Sequence, residues 1–438
     1  ILMTSHPNTP SCMKVRIHRG ANQIGGCITE IQSASGTRIL IDLGHNLPGE
    51  SQDDIDRFDD RENLSDLLSG IFGIIYTHNH GDHLGFFDQV PSAIPQYIGE
   101  MSREVIVNIL NDSLNKAMRA KRESLIEDVE RKLMSMKSFR TYVPKETFFI
   151  GDISVTPYFV SHSALDSYML LIECDGKRIL HTGDLREHGF LGKGLEKTLR
   201  SYISSVDVLI IEGTMLSRDD EHTMTESEIQ DQMSQLMARY KNVFVLCSST
   251  NFDRLAGLHK ANAKFKGRPF VCDVYQNTQF KTLTEFSGKY SDLYVIDNAI
   301  EMSLRKVNLH KKMLARGFTM VVRDNSTFRK WVSYLMLLLN PKETILVYSQ
   351  YAGYLKEQPN LQEFVKLFGE NMAYVHTSGH ATRKTLAKIC SILNPSTAII
   401  PIHRDAVSDF MTLDISDELR QKVTECSICR DGIEILID

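Results

Sequence analysis

The densest group of reactive side chains in the sequence lies at residues 78–83, which read HNHGDH. Because side chains alternate along an extended chain, His78 and His80 share a face, while Asp82 and His83 follow after Gly81 bends the backbone. One short segment can therefore supply ligands to two adjacent cations. Imidazole and carboxylate ligands suit zinc or another borderline divalent ion, and a catalytic site keeps one coordination position for water. The alternative is a cluster of hydrogen-bonded histidines on a surface loop.

The elements around this segment favour a metal centre over a surface cluster. Residues 71–77, IFGIIYT, form a short apolar run that is typical of a buried strand, whose end would place the histidines on a loop. Other ligand-type residues follow further predicted strands or stand in short late motifs: His162, Asp184, Glu212, His380 and His403. Each alone would more often be a structural residue, but together they predict a two-metal centre. The two oxygens of Asp184 are suited to bridge the ions.

The bulk composition describes an ordinary soluble globular protein. The chain has 438 residues, enough for two or more domains, and it is 42% hydrophobic and 24% charged. No apolar stretch reaches the roughly 20 residues that cross a bilayer, and the best candidate, residues 331–339, is predicted to be a buried helix. The absence of a secretory signal predicts a cytoplasmic protein with no membrane contact. Residues 1–12 are expected to be a leader or a remnant outside the fold, with a natural start at Met13.

Cysteine usage and charge limit the partners. Eight cysteines are scattered along the chain, so most are expected to be reduced core residues rather than a disulfide framework. Cys426 and Cys429 form a single C-x-x-C pair without the second pair that a structural zinc requires. The net charge of −5 argues against coating nucleic acid by bulk attraction. Basic residues at 260–268 and 305–316 would form either a local nucleic-acid track or solvated helix faces.

The first part of the chain predicts a layered αββα sandwich. It opens with an antiparallel meander interrupted by a turn at residues 20–26, and one or two long helices follow at 101–138. Short apolar or alternating runs predict its strands at 15–17, 27–32, 38–42, 71–77, 153–160, 168–173, 178–181 and 208–211.

The middle part of the chain alternates helices with short apolar strands, which predicts a βαβ-like α/β unit. Helices are expected at 227–240 and 254–262, and strands at 243–247, 270–273, 319–323 and 344–348. Helix and strand return at 386–402 and 432–437, so the middle unit is predicted to be inserted into the sandwich. The expected boundaries are 13–213 for the first part of the sandwich, 214–375 for the insert and 376–438 for the second part.

The order of these motifs resembles that of the metallo-β-lactamase superfamily. The segment 78–83, His162, Asp184 and Asp42 look like the superfamily signature. Glu212, His380 and His403, which flank an inserted α/β domain, look like the three extra motifs of its β-CASP branch, which processes nucleic acids. The phrases SGHA at 378–381, PIH at 401–403 and HSALDS at 162–167 are most similar to those of the bacterial ribonuclease J family. The resemblance implies a metallo-β-lactamase sandwich with a β-CASP insert.

The resemblance also implies a role for each residue. One zinc ion would be held by His78, His80 and His162, and a second by Asp82, His83 and His403. Asp184 would bridge the two ions, and manganese or another divalent ion is an alternative to zinc. Asp42 would hydrogen-bond a ligand or a loop amide. His380 would face the scissile phosphate, oriented by Glu212, and Ser378 with neighbouring amides would grip a phosphate oxygen.

The implied activity is hydrolysis of single-stranded RNA, with DNA as an alternative substrate, in a cleft between the two domains. A hydroxide shared by two zinc ions would attack phosphorus and leave a 5′-phosphate and a 3′-hydroxyl, with Asp82, Glu212 and His380 as the candidate catalytic residues. A homodimer is a candidate assembly. One alternative is a hydrolase of the same fold acting on a small ester, thioester or lactone, which the insert and His380 disfavour. The other is a non-catalytic nucleic-acid-binding paralogue, which the complete ligand set disfavours.

Overall fold

The structure is a computed structural model that describes residues 12–47, 61–218, 222–287, 292–424, 431–432 and 434–437. The predicted leader up to residue 11 and the pair Cys426 and Cys429 lie outside these ranges. The described cysteines are all free, and five of the six are buried, as expected. Within the same ranges, no helix combines the length and the apolar character needed to span a bilayer.

The first of three sheets carries the predicted antiparallel meander. Its strands are β1 (Met13–Arg19), β2 (Ile28–Gln32), β3 (Arg38–Ile41), β4 (Ile71–Ile75), β5 (Gln96–Gly99), β6 (Arg140–Tyr142) and β19 (Glu434–Ile437). Their spatial order is β19-β1-β2-β3-β4-β5-β6, antiparallel from β19 to β3 and parallel from β3 to β6. Alternate side chains of β1 are buried because successive residues of a strand point to opposite faces.

The second sheet packs face to face against the first. Its strands are β7 (Phe148–Ile150), β8 (Ile153–Val160), β9 (Ser167–Cys174), β10 (Lys177–His181), β11 (Val208–Glu212) and β18 (Ala398–Ile402). The spatial order is β18-β11-β10-β9-β8-β7, with β10, β11 and β18 parallel to one another. One core fills the space between the sheets and includes Val15, Ile41, Ile75, Ile172 and Ile210. The strands expected in this region are therefore confirmed.

Helices cover the outer face of each sheet and complete the predicted αββα sandwich. The first sheet is covered by α1 (Arg61–Leu68), α3 (Glu100–Arg119) and α4 (Glu123–Ser138). The second sheet is covered by α5 (Leu195–Thr198), α13 (Arg383–Leu393) and α14 (Asp417–Lys422). The remaining helix of this part, α2 (Gly81–Leu84), is a single turn.

The third sheet belongs to the inserted α/β unit and is entirely parallel. Its strands are β12 (Asn242–Leu246), β13 (Phe270–Cys272), β14 (Ala299–Glu301), β15 (Phe318–Val322), β16 (Thr344–Tyr348) and β17 (Met372–Tyr374), in the order β14-β13-β15-β12-β16-β17. Separate cores lie on its two faces. Its helices are α6 (Glu226–Arg239), α7 (Phe252–Ala263), α8 (Val274–Ser287), α9 (Val307–Arg316), α10 (Ser326–Met336), α11 (Ala352–Glu357) and α12 (Pro359–Lys366).

The insertion itself is visible in the pairing of β11 with β18. These strands are neighbours in the second sheet, and Glu212 is paired with Ile402. The chain leaves the sandwich after β11, builds the α/β unit and returns beside the strand it left. The boundaries 13–213, 214–375 and 376–438 stay predictions.

The prediction of a buried helix over residues 331–339 is wrong, because the helix ends earlier and is buried on one side only. Helix α10 ends at Met336, and the next residue, Leu337, is 85% exposed. Only Phe328, Val332 and Leu335 are buried, because their spacing places them on one stripe that faces the core. An uncharged apolar run therefore does not by itself indicate burial on all sides.

A buried ion network joins the insert to the sandwich. Arg186, which follows β10, donates to Glu226 at 3.0 Å and to Asp253 at 2.8 Å. Arg254 donates to the two oxygens of Glu226 at 2.9 and 3.0 Å. Burial alone would raise the pKa of Glu226, but Arg254 and Arg186 outweigh it and lower this pKa to about 2. Glu226 therefore stays ionised and is the shared partner of two buried cations.

We expect Glu226→Gln to lower the free energy of unfolding by about 3 kcal/mol at pH 7, because two buried guanidinium groups lose their shared charge. The folded-state pKa lies below the unfolded value of roughly 4.3, so this stabilisation is present above that value and disappears as the pH falls toward 2. Urea unfolding across this pH range measures it. Asp231→Asn, on the exposed side of the same helix, is the control and should change stability by less than about 0.5 kcal/mol. Equal stability of Glu226→Gln and the wild type at pH 7 would contradict the expectation.

Candidate metal centre

The backbone around residues 78–83 is fixed by neighbouring strand ends. Strand β4 ends at Ile75 and leads into this segment as predicted, but the second half of the expected loop is the helical turn α2. The amides of Cys27 and Leu43 donate to the carbonyls of Asp82 and His83 at 2.9 and 2.7 Å. A Cβ at Gly44 would lie 1.7 Å from the Asp82 carbonyl oxygen, so only glycine permits this close approach.

The three imidazoles predicted to hold the first ion, those of His78, His80 and His162, lie close together. His78 Nε2 and His162 Nε2 lie 3.1 and 3.2 Å from His80 Nδ1. The other nitrogens of the two outer rings are fixed, since His78 Nδ1 lies 3.0 Å from Thr77 Oγ1 and His162 Nδ1 lies 2.7 Å from the Gly379 carbonyl. Burial, and after it the neighbouring imidazoles, hold the pKa of His78 and of His162 well below the usual range. Neutral rings with three converging nitrogens fit a borderline divalent cation.

The residues predicted to hold the second ion, Asp82, His83 and His403, also lie close together. His403 Nε2 lies 3.3 Å from Asp82 Oδ2, and His83 Nε2 lies 3.8 Å from the same oxygen. His83 Nδ1 is 2.7 Å from Asp42, and His403 Nδ1 is 2.7 Å from Thr214 Oγ1, so both Nε2 atoms face inward. The buried His83 Nε2 makes no hydrogen bond of good angular geometry among the described residues, although Asp184 Oδ2 lies 3.2 Å away. A cation would satisfy this nitrogen, which is otherwise costly to bury.

Asp184 lies between these two groups of residues. Its Oδ2 is 3.2 Å from His83 Nε2, 3.5 Å from His403 Nε2 and 3.9 Å from the Nε2 atoms of both His78 and His162. Burial would raise the pKa of this carboxyl, but the surrounding imidazoles, His403 first, lower it well below its usual value. An ionised carboxylate therefore occupies the position that a bridging ligand would take.

His380 lies beside the cluster and contacts two carboxylates. Its Nδ1 is 3.3 Å from Glu212 Oε2 and 3.8 Å from Asp184 Oδ2. Burial lowers the pKa of His380, but Glu212 and Asp184 outweigh it and raise this pKa. Glu212 is itself held in place by the amides of Ala381 at 2.9 Å and Thr214 at 3.1 Å. Glu212 can therefore orient the His380 ring.

Ser378 begins the turn that carries His380. Its hydroxyl accepts the His380 amide at 3.1 Å, and its carbonyl accepts from Arg186 at 3.0 Å and from His188 at 2.7 Å. The His380 amide is thus already bonded within the turn. A contact from Ser378 to phosphate would have to use the hydroxyl as a donor, and this role stays a prediction.

The structure brings all the sequence-predicted residues together. It also places beside them three residues that the sequence analysis did not assign to the site. The Gly20 carbonyl, in a segment predicted only as a turn, accepts the His403 amide at 2.7 Å. Thr214 fixes His403, and the Cys27 sulfur lies with nitrogens of His83 and His403 in a group whose atoms are within 4.8 Å of one another. Gly, Thr and Cys are common in turns and cores, so their residue types carry no diagnostic signal.

Parts of the chain are similar in sequence to known proteins. Residues 37–248 match the model of the beta-lactamase superfamily domain. An RNase J-like protein of Methanocaldococcus jannaschii is 28% identical over 209 residues, which are 46% of this chain and 42% of that protein. Ribonuclease J of Mycobacterium tuberculosis is 26% identical over 277 residues, which are 60% of this chain and 46% of that protein. The chain spans less than half the length of these two curated relatives.

A crystal structure of a protein of unknown function from Enterococcus faecalis V583 shares the fold. Its TM-score is 0.70 at 16% identity, and the match covers 97% of this chain and 100% of that one. The chain is a metallo-β-lactamase-fold protein. This follows from the αββα sandwich, the match over residues 37–248 and the buried cluster of His and Asp residues. More particularly, the chain is similar in sequence to proteins named ribonuclease J and RNase J-like protein, and its α/β unit is inserted between β11 and β18.

We expect Thr214→Val to weaken zinc binding about 10- to 100-fold, because His403 loses the hydroxyl that fixes its Nδ1 while the side-chain volume is kept. Competition with a chromogenic chelator measures the dissociation constants and the number of bound ions. Thr278→Val is the control, since among the described residues that hydroxyl bonds only a carbonyl of its own helix. Unchanged zinc affinity in Thr214→Val would show that Thr214 does not position His403.

Proposed function

We propose that the protein is a metal-dependent phosphodiesterase that hydrolyses single-stranded RNA, with DNA as an alternative substrate, and leaves 5′-phosphate and 3′-hydroxyl ends. The observation that carries this proposal is the pair His380 and Glu212, which stands beside the ligand cluster and contacts Asp184. The similarity to proteins named ribonuclease J supports it. A nucleic-acid substrate also favours a cytoplasmic location, and a homodimer remains a candidate assembly.

Two zinc ions, or another pair of divalent ions, are the proposed cofactors. The first would be held by His78, His80 and His162, the second by Asp82, His83 and His403, with Asp184 shared. Such ions neutralise charge on a phosphodiester and lower the pKa of water. By accepting from His83 Nδ1, Asp42 would leave Nε2 available to an ion, and Thr214 would do the same for His403.

His380 is the proposed general acid. Its ring lies at the edge of the cluster, and Glu212 faces its Nδ1 from a position fixed by two backbone amides. In this orientation the ring can protonate or stabilise the departing oxygen of a phosphodiester. Ser378 is the proposed contact to a non-bridging oxygen. Hydrolysis of a small ester would require neither a general acid placed in this way nor a large inserted unit.

We expect Asp82→Ala and His403→Ala to abolish hydrolysis while leaving the fold intact, because each removes a ligand of the second ion. Circular dichroism and cleavage of end-labelled RNA and DNA strands, with a chromogenic ester in parallel, measure both properties. The exposed His222→Ala is the control and should cleave like the wild type. Normal turnover by either ligand variant would refute these assignments, and ester hydrolysis without strand cleavage would favour the small-substrate alternative.

We expect His380→Ala to lower kcat about 10²- to 10⁴-fold, the range for loss of a general acid, with the metal content unchanged. Glu212→Gln should cause a smaller loss in kcat, because the amide still accepts backbone hydrogen bonds but no longer carries the charge that faces His380. Metal analysis and single-turnover cleavage distinguish these effects. If His380→Ala loses metal in proportion to activity, His380 acts as a ligand instead.

A further inference from the structure

Three exposed tyrosines cluster on the inserted unit. Tyr351 precedes α11, Tyr354 lies within it, and Tyr374 is on β17, with exposed fractions of 44%, 46% and 53%. Exposed aromatic groups of this kind mark binding surfaces more often than single scattered apolar residues do. These residues and Arg218 are called the tyrosine platform below.

The rings of the platform lie close enough to act together. The centroids of Tyr351 and Tyr354 are 5.5 Å apart, and the Arg218 guanidinium carbon is 5.1 Å from the centroid of Tyr351. Tyr374 stacks on the buried Tyr348 at 6.1 Å, and the Tyr348 hydroxyl donates to the Tyr351 carbonyl at 3.1 Å. A buried residue therefore ties the exposed rings to the core of the insert.

The Tyr351 ring packs against the backbone of α11 at Gly353. A Cβ at Gly353 would lie 2.2 Å from an atom of the Tyr351 ring, so the ring rests against the backbone of α11. Only glycine leaves room for this contact. An aromatic ring held in this way loses little conformational freedom when a ligand stacks on it.

The platform is continuous with the candidate metal centre through two chain segments. Thr214, which contacts His403, precedes Arg218 by four residues, and Tyr374 precedes His380 by six residues. These segments touch each other where Ser378 Oγ lies 3.3 Å from Met215 Sδ.

We propose that the tyrosine platform stacks the bases of single-stranded nucleic acid beside the phosphate that is cleaved. This inference rests on the proposed nuclease function and specifies how that substrate is held. Every base has a π face, so stacking on Tyr351, Tyr354 or Tyr374 needs no particular sequence, and Arg218 adds a cation. The bases of a duplex are already stacked inside the helix, so the platform selects single strands.

The charge of the chain favours a contribution from stacking to the binding of this substrate. The net charge is −5, so bulk attraction does not hold a polyanion. Local stacking supplies affinity that does not depend on that charge. A small ester or lactone would occupy the centre without reaching α11.

The test is binding of a short fluorescein-labelled single-stranded RNA to the full chain in EDTA, measured by anisotropy. An abasic strand of the same length carries the same phosphates without bases. Tyr351→Ala and Tyr354→Ala are expected to raise Kd for the RNA about 5- to 100-fold and to leave Kd for the abasic strand unchanged. Tyr351→Phe keeps the ring and should stay within about 2-fold of the wild type. Tyr334→Ala, at an exposed tyrosine of α10, is the control.

Kinetics and a spectroscopic reporter separate stacking from a loss of structure. With metal present, Tyr351→Ala should raise KM for RNA and leave kcat within about 2-fold, because the platform does not touch the reacting atoms. The fluorescence of 2-aminopurine placed in the RNA should be quenched when the RNA binds the wild-type protein. This measurement requires no variant.

The outcomes are distinct. The platform would be overturned if neither alanine variant loses RNA affinity, if RNA and abasic strands lose affinity equally, or if 2-aminopurine is not quenched at saturation. Cleavage of single strands by the wild type would still leave the nuclease proposal standing. A wild type that neither binds nor cleaves single strands would overturn both.

Discussion

Buried carboxylates and imidazoles at one edge of the sandwich must be paired and hydrogen-bonded with one another. The surrounding structure is arranged around that requirement. Buried charges are costly unless they are paired and hydrogen-bonded. Asp184 meets this condition by facing several imidazoles, and Asp42 by accepting from Thr77 and His83. Because the outer nitrogens of the rings are occupied, the inner nitrogens converge. The cluster is therefore oriented by its neighbours before a cation adds its own charge.

Parallel strand pairing brings these groups to one place. Strands β3 and β4 are parallel, as are β10, β11 and β18, so their carboxyl ends meet at the same edge of each sheet. Asp42 and His403 immediately follow two of these strands and have φ angles of 61° and 49°. Such a backbone conformation is rare for residues other than glycine and persists only where the surroundings enforce it. The contacts that the side chains of Asp42 and His403 make offset the free-energy cost of this backbone conformation.

The strands and their polar ends could be predicted from sequence because an apolar run followed by His, Asp or Glu is a local signal. The antiparallel pairing of β8 with β9 and the sandwich follow from the same pattern. Other features depend on contacts between distant segments. The helical turn α2, the exposed end of α10 and the roles of Gly20, Cys27 and Thr214 have no local signature, and the tyrosine platform emerges only when β16 and β17 lie side by side. The domain boundaries and the catalytic roles stay predictions.

The pairing of β11 with β18 has a consequence for how the molecule is made. Asp82 and His403 contact each other across 321 residues of chain, and the whole insert lies within that loop. Closing so long a loop is entropically costly unless the intervening chain has already become compact. On the ribosome, the early histidines therefore emerge long before their last partner. A nascent chain remains incompetent for its chemistry until the inserted unit has folded and its final strand has docked.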